Sequence, residues 1–113
     1  MNLNEQAQEA IKMIDAQISE LLSIKDDFKK KRFSSADGLE KMEQWKERTI
    51  KLLSQKVHPK EGLKLEQRNE WLLSEDPLTS FRKTAAMYSS FLNTIKEEIK
   101  KHPGNVFAAP VTP

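Results

Sequence analysis

Leu78, Phe81, Ala85, Tyr88, Leu92, Ile95 and Ile99 follow one another at alternating steps of three and four residues. At that spacing they fall on one stripe of an α-helix, the a/d seam of a heptad. A strand cannot use the pattern, because it sends alternate residues to opposite faces. Phe91 widens the stripe. A helix with one apolar stripe gains little alone and needs a second apolar surface to cover it. The rest of the chain must supply that surface, or a partner must.

Three further segments offer one. From about Leu3 to about Lys31, Ala7, Ala10, Ile11, Ile14, Ile18, Leu21, Leu22 and Phe28 recur at helical spacing. Asn2 and Glu5 make a capping-box-like start. Acids at the front and Lys29–Arg32 at the end complement the helix dipole. Ser34, Ser35, Asp37 and Gly38 break the pattern, with Ser35 or Asp37 as the next cap. A second helix carries Leu39, Met42, Trp45, Thr49, Leu52, Leu53 and Val57 and stops at His58-Pro59. Lys60 to Gly62 are expected to continue that loop. Leu65, Asn69, Leu72 and Leu73 suggest a short third helix with Trp71 beside it. Asp76 and Pro77 then serve as N-cap and first residue of the heptad helix.

The expected fold is all-α: an antiparallel helical bundle of three long helices plus one short helix. Residues 1–102 form the bundle domain, and 103–113 form an extended C-terminal tail or linker. The 113-residue length suits one core. No window nears the roughly 18 apolar residues of a membrane span. Without cysteine there is neither disulfide nor thiolate chemistry. A cytoplasmic location without membrane attachment is therefore expected.

Catalytic constellations are missing. His58 and His102 each precede a proline at a helix end, where a helix-terminal cation or capping role suits them. Neither stands in an H-x-x-x-H or Glu-x-x-His spacing, so no metal site is expected. Neither has an Arg five residues ahead, as one class of helical ribonuclease requires. Glu40, Glu43, Glu47, Glu97 and Glu98 are interleaved with lysines, the pattern of a solvated face. Ser34-Ser35 and Ser89-Ser90 lack a placed base, and no phosphate-binding loop occurs. No catalytic residue, metal or cofactor is assigned, and the chain is expected not to be an enzyme.

Charge is unevenly spread. The formal net charge is only +2. Residues 25–33 nevertheless hold five cations against two acids, and residues 77–102 do the same. Lys29, Lys30, Lys31 and Arg32 are the candidate contacts to a nucleic acid, through phosphates. No aromatic interleaving points to base stacking. Trp71, Tyr88 and Phe91 are the candidate partner-binding residues, because a large aromatic at an interface carries much binding energy. Trp45 lies on the second helix's stripe and reads as core.

The run Leu39, Trp45, Leu52-Leu53, the loop with Gly62 and Leu65, and the long helix with Leu92, Ile95 and Ile99 resemble a known group. Over residues 37–101 the pattern is similar to small helical domains of bacterial antiphage proteins. In that group the domain precedes a nucleotide-sensing or TIR-like effector. The resemblance implies a helical accessory domain in a bacterial or phage defence-related system and brings no catalytic residues with it.

The leading expectation is a non-enzymatic helical module for protein–protein interaction or assembly, with itself or with another protein. The alternative is a small nucleic-acid-associated regulator using the basic cluster at 25–33. A small-molecule or nucleotide pocket near Tyr88, Arg82 and Trp71 is a third, weaker reading.

Overall fold

The computed structural model describes residues 3–30, 34–68 and 76–107, with backbone alone for Ser35, Pro77, Leu78 and Asn105. Five helices cover them: α1 Leu3–Lys29, α2 Ser35–Lys56, α3 Pro59–Glu66, α4 Pro77–Lys101 and α5 Pro103–Phe107. No strand occurs among the described residues, and the fold is all-α. The Cα trace measures 51 × 22 × 20 Å. None of the described helices is long and apolar enough to cross a membrane.

Both α2 and α4 start where capping chemistry allows, whereas Asn2, the expected cap of α1, lies outside the described residues. Ser34 caps α2: its Oγ accepts the Asp37 N–H at 3.1 Å. The cap thus falls one residue before the earlier of the two expected positions. Asp76 caps α4 as expected. One carboxylate oxygen accepts the Thr79 N–H at 3.2 Å, and the other accepts the Thr79 hydroxyl.

The third helix is displaced from its expected place. It begins at Pro59, where a loop was expected, and ends at Glu66. His58 is its N-cap, and Nδ1 accepts the Lys60 N–H at 3.0 Å. Pro59 occupies the first turn, where a missing N–H costs nothing. His-Pro therefore opens a helix here by the same physics as Asp-Pro at 76–77. The expected helical positions Asn69, Leu72 and Leu73 lie outside the described residues.

The last difference is at the end of the chain. Pro103 does break α4, but it also starts α5. Half-buried Val106 and Phe107 pack against the core there. The expected extended tail from 103 is thus helical and docked as far as Phe107, because two apolar side chains cover the end of the bundle.

α1 runs antiparallel to both long neighbours. Along α2, Glu9 faces Lys56 at 3.9 Å and Glu20 pairs with Arg48. Along α4, Asp15 accepts from Lys96 at 2.6 Å, and Phe28 stacks on Phe81 with centroids 4.5 Å apart. α2 and α4 must then run the same way, so the chain has to travel back between them. α3 begins that return by folding back along α2: Gly62 lies against Ile50 and Ser54, and Lys46 reaches the Arg68 carbonyl.

The seam of α4 is the centre of the core. Phe81, Ala85, Tyr88, Leu92, Ile95 and Ile99 are all buried. On α1 the buried stripe is Ala7, Ala10, Ile14, Gln17, Leu21 and Phe28. Leu22, expected on that stripe, is 45% exposed, and Gln17 is buried in its stead. Gln17 belongs to a polar link between helices. Its Nε2 donates to Thr49 Oγ1 at 2.7 Å, and Thr49 donates to the Trp45 carbonyl at 2.7 Å. Trp45 Nε1 donates back to the Gln17 carbonyl at 2.8 Å. One satisfied polar residue at a heptad position fixes the register of neighbouring helices. Burial of each large apolar side chain contributes about 1.5–3 kcal/mol.

Candidate functional site

α3 determines where the exposed chemistry lies. Its lysines stand four apart, so Lys60 and Lys64 share one helical face with Arg68 just beyond the helix. That face overlooks α4. Between them runs an open groove of about 660 Å³ that Val106 of α5 also lines. Met87, Phe91 and Ile95 form its floor, and Lys60, Lys64 and Arg68 form one wall. The Arg68 guanidinium lies over the Phe91 ring, 5.2 Å from its centroid. Two acids also line the groove. Glu61 is 3.3 Å from Lys64, and Glu98 stands on the α4 side. The result is an apolar strip with a mainly cationic edge.

Tyr88 sits under this groove and not in it. It is 2% exposed and stacks on Trp45 at 5.6 Å between centroids. Its hydroxyl donates to the Arg68 carbonyl at 3.3 Å, and Lys46 donates to the same oxygen. The Lys46 ammonium also lies 5.4 Å from the Tyr88 ring centroid. These two donors meet the negative C-terminal end of α3 and hold the groove wall to the core. Tyr88 therefore anchors the groove from below, while half-buried Phe91 faces it. Trp71 lies outside the described residues.

Of the expected phosphate contacts, Lys29 and Lys30 are exposed at the end of α1. Lys30 pairs with Asp26 at 3.0 Å. Lys31 and Arg32 lie outside the described residues. The cations at the end of α4 (Lys96, Lys100 and Lys101) stand at the opposite end of the bundle from this cluster, because α1 and α4 are antiparallel. Arg82 and Lys83, early in α4, come to it instead, with Lys25 between.

Trp45 is fully buried, as its position on the stripe implied. His58 is engaged as a cap, and His102 is exposed just after α4. Among the described residues no three His, Asp or Glu side chains are grouped to hold a metal. Sequence reasoning missed Lys60, Lys64, Met87 and Val106 because it placed a loop and a tail where α3 and α5 stand. The signal was available in His58-Pro59 and Pro103, each a proline able to open a helix.

Comparison with family models, with curated proteins and with solved structures finds no match for this chain. The resemblance over residues 37–101 thus rests on its spacing pattern alone.

Proposed function

We propose that the chain is a non-enzymatic helical interaction module, and that its groove between α3 and α4 receives an acidic amphipathic segment of a protein partner. One observation carries the reading: half-buried Met87 and Phe91, with buried Ile95 beneath them, line a groove that Lys60, Lys64 and Arg68 edge against two acids, Glu61 and Glu98. An amphipathic helix lays its apolar face into such a groove, and acids on its flank meet the cations. The aromatic-plus-arginine pair at Phe91 and Arg68 is the combination that dominates binding hot spots. A cytoplasmic setting within a bacterial or phage defence-related system accompanies this reading, through the resemblance.

A photo-crosslinking benzoylphenylalanine at Phe91, an aromatic replacement for an aromatic, tests it in host cells. The same group at exposed Gln55 is the control. The expected result is a crosslink from position 91 alone, to a peptide with acids flanking apolar residues. That peptide, synthesised, should lose at least about tenfold in affinity, or 1.4 kcal/mol, for a Lys60→Glu/Lys64→Glu variant. A crosslink to a second copy of the chain would replace the partner by self-association. Equal crosslinking from both positions, or a peptide indifferent to the charge reversal, would refute the groove.

A further inference from the structure

The outer face of α4, turned away from the buried seam, has a symmetry of its own. Arg82, Ala86, Ser89, Ser90, Asn93 and Glu97 step along it at helical spacing. Ser89 is partly covered and the others are exposed. About the midpoint between Ser89 and Ser90, Ala86 is matched by Asn93 and Arg82 by Glu97. The middle of the face is small, and its two ends carry opposite charges. Alongside it, between α1 and α4, runs an open trough of about 620 Å³. Leu22 of α1 lines this trough and is one of three large apolar side chains exposed among the described residues.

Such a face complements itself. A two-fold axis crossing α4 at the level of Ser89 and Ser90 reverses the helix direction. Arg82 of one copy then faces Glu97 of the other, and the pairing occurs twice. A parallel arrangement would set Arg82 against Arg82 and Glu97 against Glu97, which is unfavourable. Glu97 also lies 3.9 Å from Lys100 in an exposed pair, a loose contact that still lets its carboxylate meet a guanidinium. We infer that a second copy of this chain docks here, α4 against α4 in antiparallel fashion, to form a symmetric dimer.

Packing and size agree with that occupant. Small side chains let two helix axes approach to about 8 Å. Ser89 Oγ is buried without a hydrogen bond among the described residues, and the axis brings Ser90 of the other copy beside it. Leu22 of each copy gains cover from the other's α4. From Arg82 to Glu97 the face is about 22 Å long. Two helices, each about 11 Å across, then cover about 500 Å² per copy. The total of about 1,000 Å² is near the lower limit of a specific interface, so the dimer is expected to be weak, with a Kd of about micromolar order or above. This inference is independent of the groove against α3, which lies beyond the ridge of Thr94 and Glu98.

Sedimentation equilibrium of the full chain, from about 1 μM to about 1 mM, provides the test. The mass should rise from one chain towards two. Arg82→Glu and Glu97→Arg should each weaken association by at least about tenfold, because each sets like charges opposite one another twice. Mixed together, the two variants should pair as tightly as the wild type. The double variant Arg82→Glu/Glu97→Arg should pair with itself again. Leu22→Ser should weaken association by about tenfold. Lys60→Glu/Lys64→Glu, on the α3 groove, should leave it unchanged. Circular dichroism should show these surface variants folded. Should a reversal unfold the chain, Arg82→Gln and Glu97→Gln replace it, and each must weaken association. Four outcomes would overturn the inference: a monomer at every concentration, reversals that dimerise like the wild type, reversals that fail to pair when mixed, or a dimer lost on Lys60→Glu/Lys64→Glu.

Discussion

Replacing Gly62 by alanine probes how closely α3 approaches α2. A Cβ built on Gly62 lies 2.1 Å from Ser54 Oγ, 2.9 Å from the Ile50 carbonyl oxygen and 3.4 Å from Ser54 Cβ. The first contact is soft, because the serine hydroxyl can rotate away. The second is hard, because the Ile50 carbonyl belongs to the backbone of α2. Ordinary contact begins near 3.4 Å, so α3 must lift by about half an ångström. Overpacking of this kind costs about 1–3 kcal/mol. Alanine returns up to about 1 kcal/mol of helix propensity. The expected net loss is about 1 kcal/mol, or about 4–8 °C in Tm for a domain near this size. Urea and thermal unfolding followed by circular dichroism would read it. Ser54→Ala in the same chain should restore only part of the loss, since the carbonyl contact remains. Gly104→Ala is the contrast: nothing lies within 4 Å of its added Cβ, so it should be neutral or stabilising by up to about 1 kcal/mol. A Gly62→Ala protein as stable as the wild type would refute the close approach.

Other perturbations separate the remaining interactions. Gln17→Ala should cost about 1–3 kcal/mol in urea unfolding, whereas Gln17→Leu/Thr49→Val should cost less because both partners become apolar together. Thr84 Oγ1 is buried without a hydrogen bond, so Thr84→Val should be neutral or raise Tm; a fall of more than about 1 kcal/mol would show an unseen partner. Phe107→Ala should lower stability by about 1–2 kcal/mol, less than the full cost of a buried Phe because the ring is half-covered. An unchanged Tm would mean that α5 does not dock.

The heptad of α4 was readable because every one of its positions is apolar and its cap, Asp76-Pro77, is a strong start signal. The same reading misplaced α3, since a proline after the end of α2 looks like a stop until His58 is recognised as a cap. Gln17 stayed hidden for a different reason. Hydrophobic periodicity has no symbol for a polar side chain that is buried because Thr49 satisfies it. Leu22 shows the converse: an apolar residue at helical spacing that the crossing of α1 and α4 leaves outside. The groove and the meeting of Lys25 with Arg82 both join residues far apart in sequence. Single-helix patterns show Lys60 or Arg82 as ordinary surface charges, and only helix direction brings them to Phe91 and Lys25.

The central position of α1 also orders events in time. Its partner α2 follows it at once, so that hairpin and its Gln17–Thr49–Trp45 link can assemble early. Its other flank waits for α4, and the Asp15–Lys96 pair spans a separation of 81 residues. At about 5–20 residues per second of synthesis, Phe28 waits several seconds for the Phe81 ring that stacks on it. A nascent chain stalled before α4 would present that flank to chaperones and to neighbouring copies.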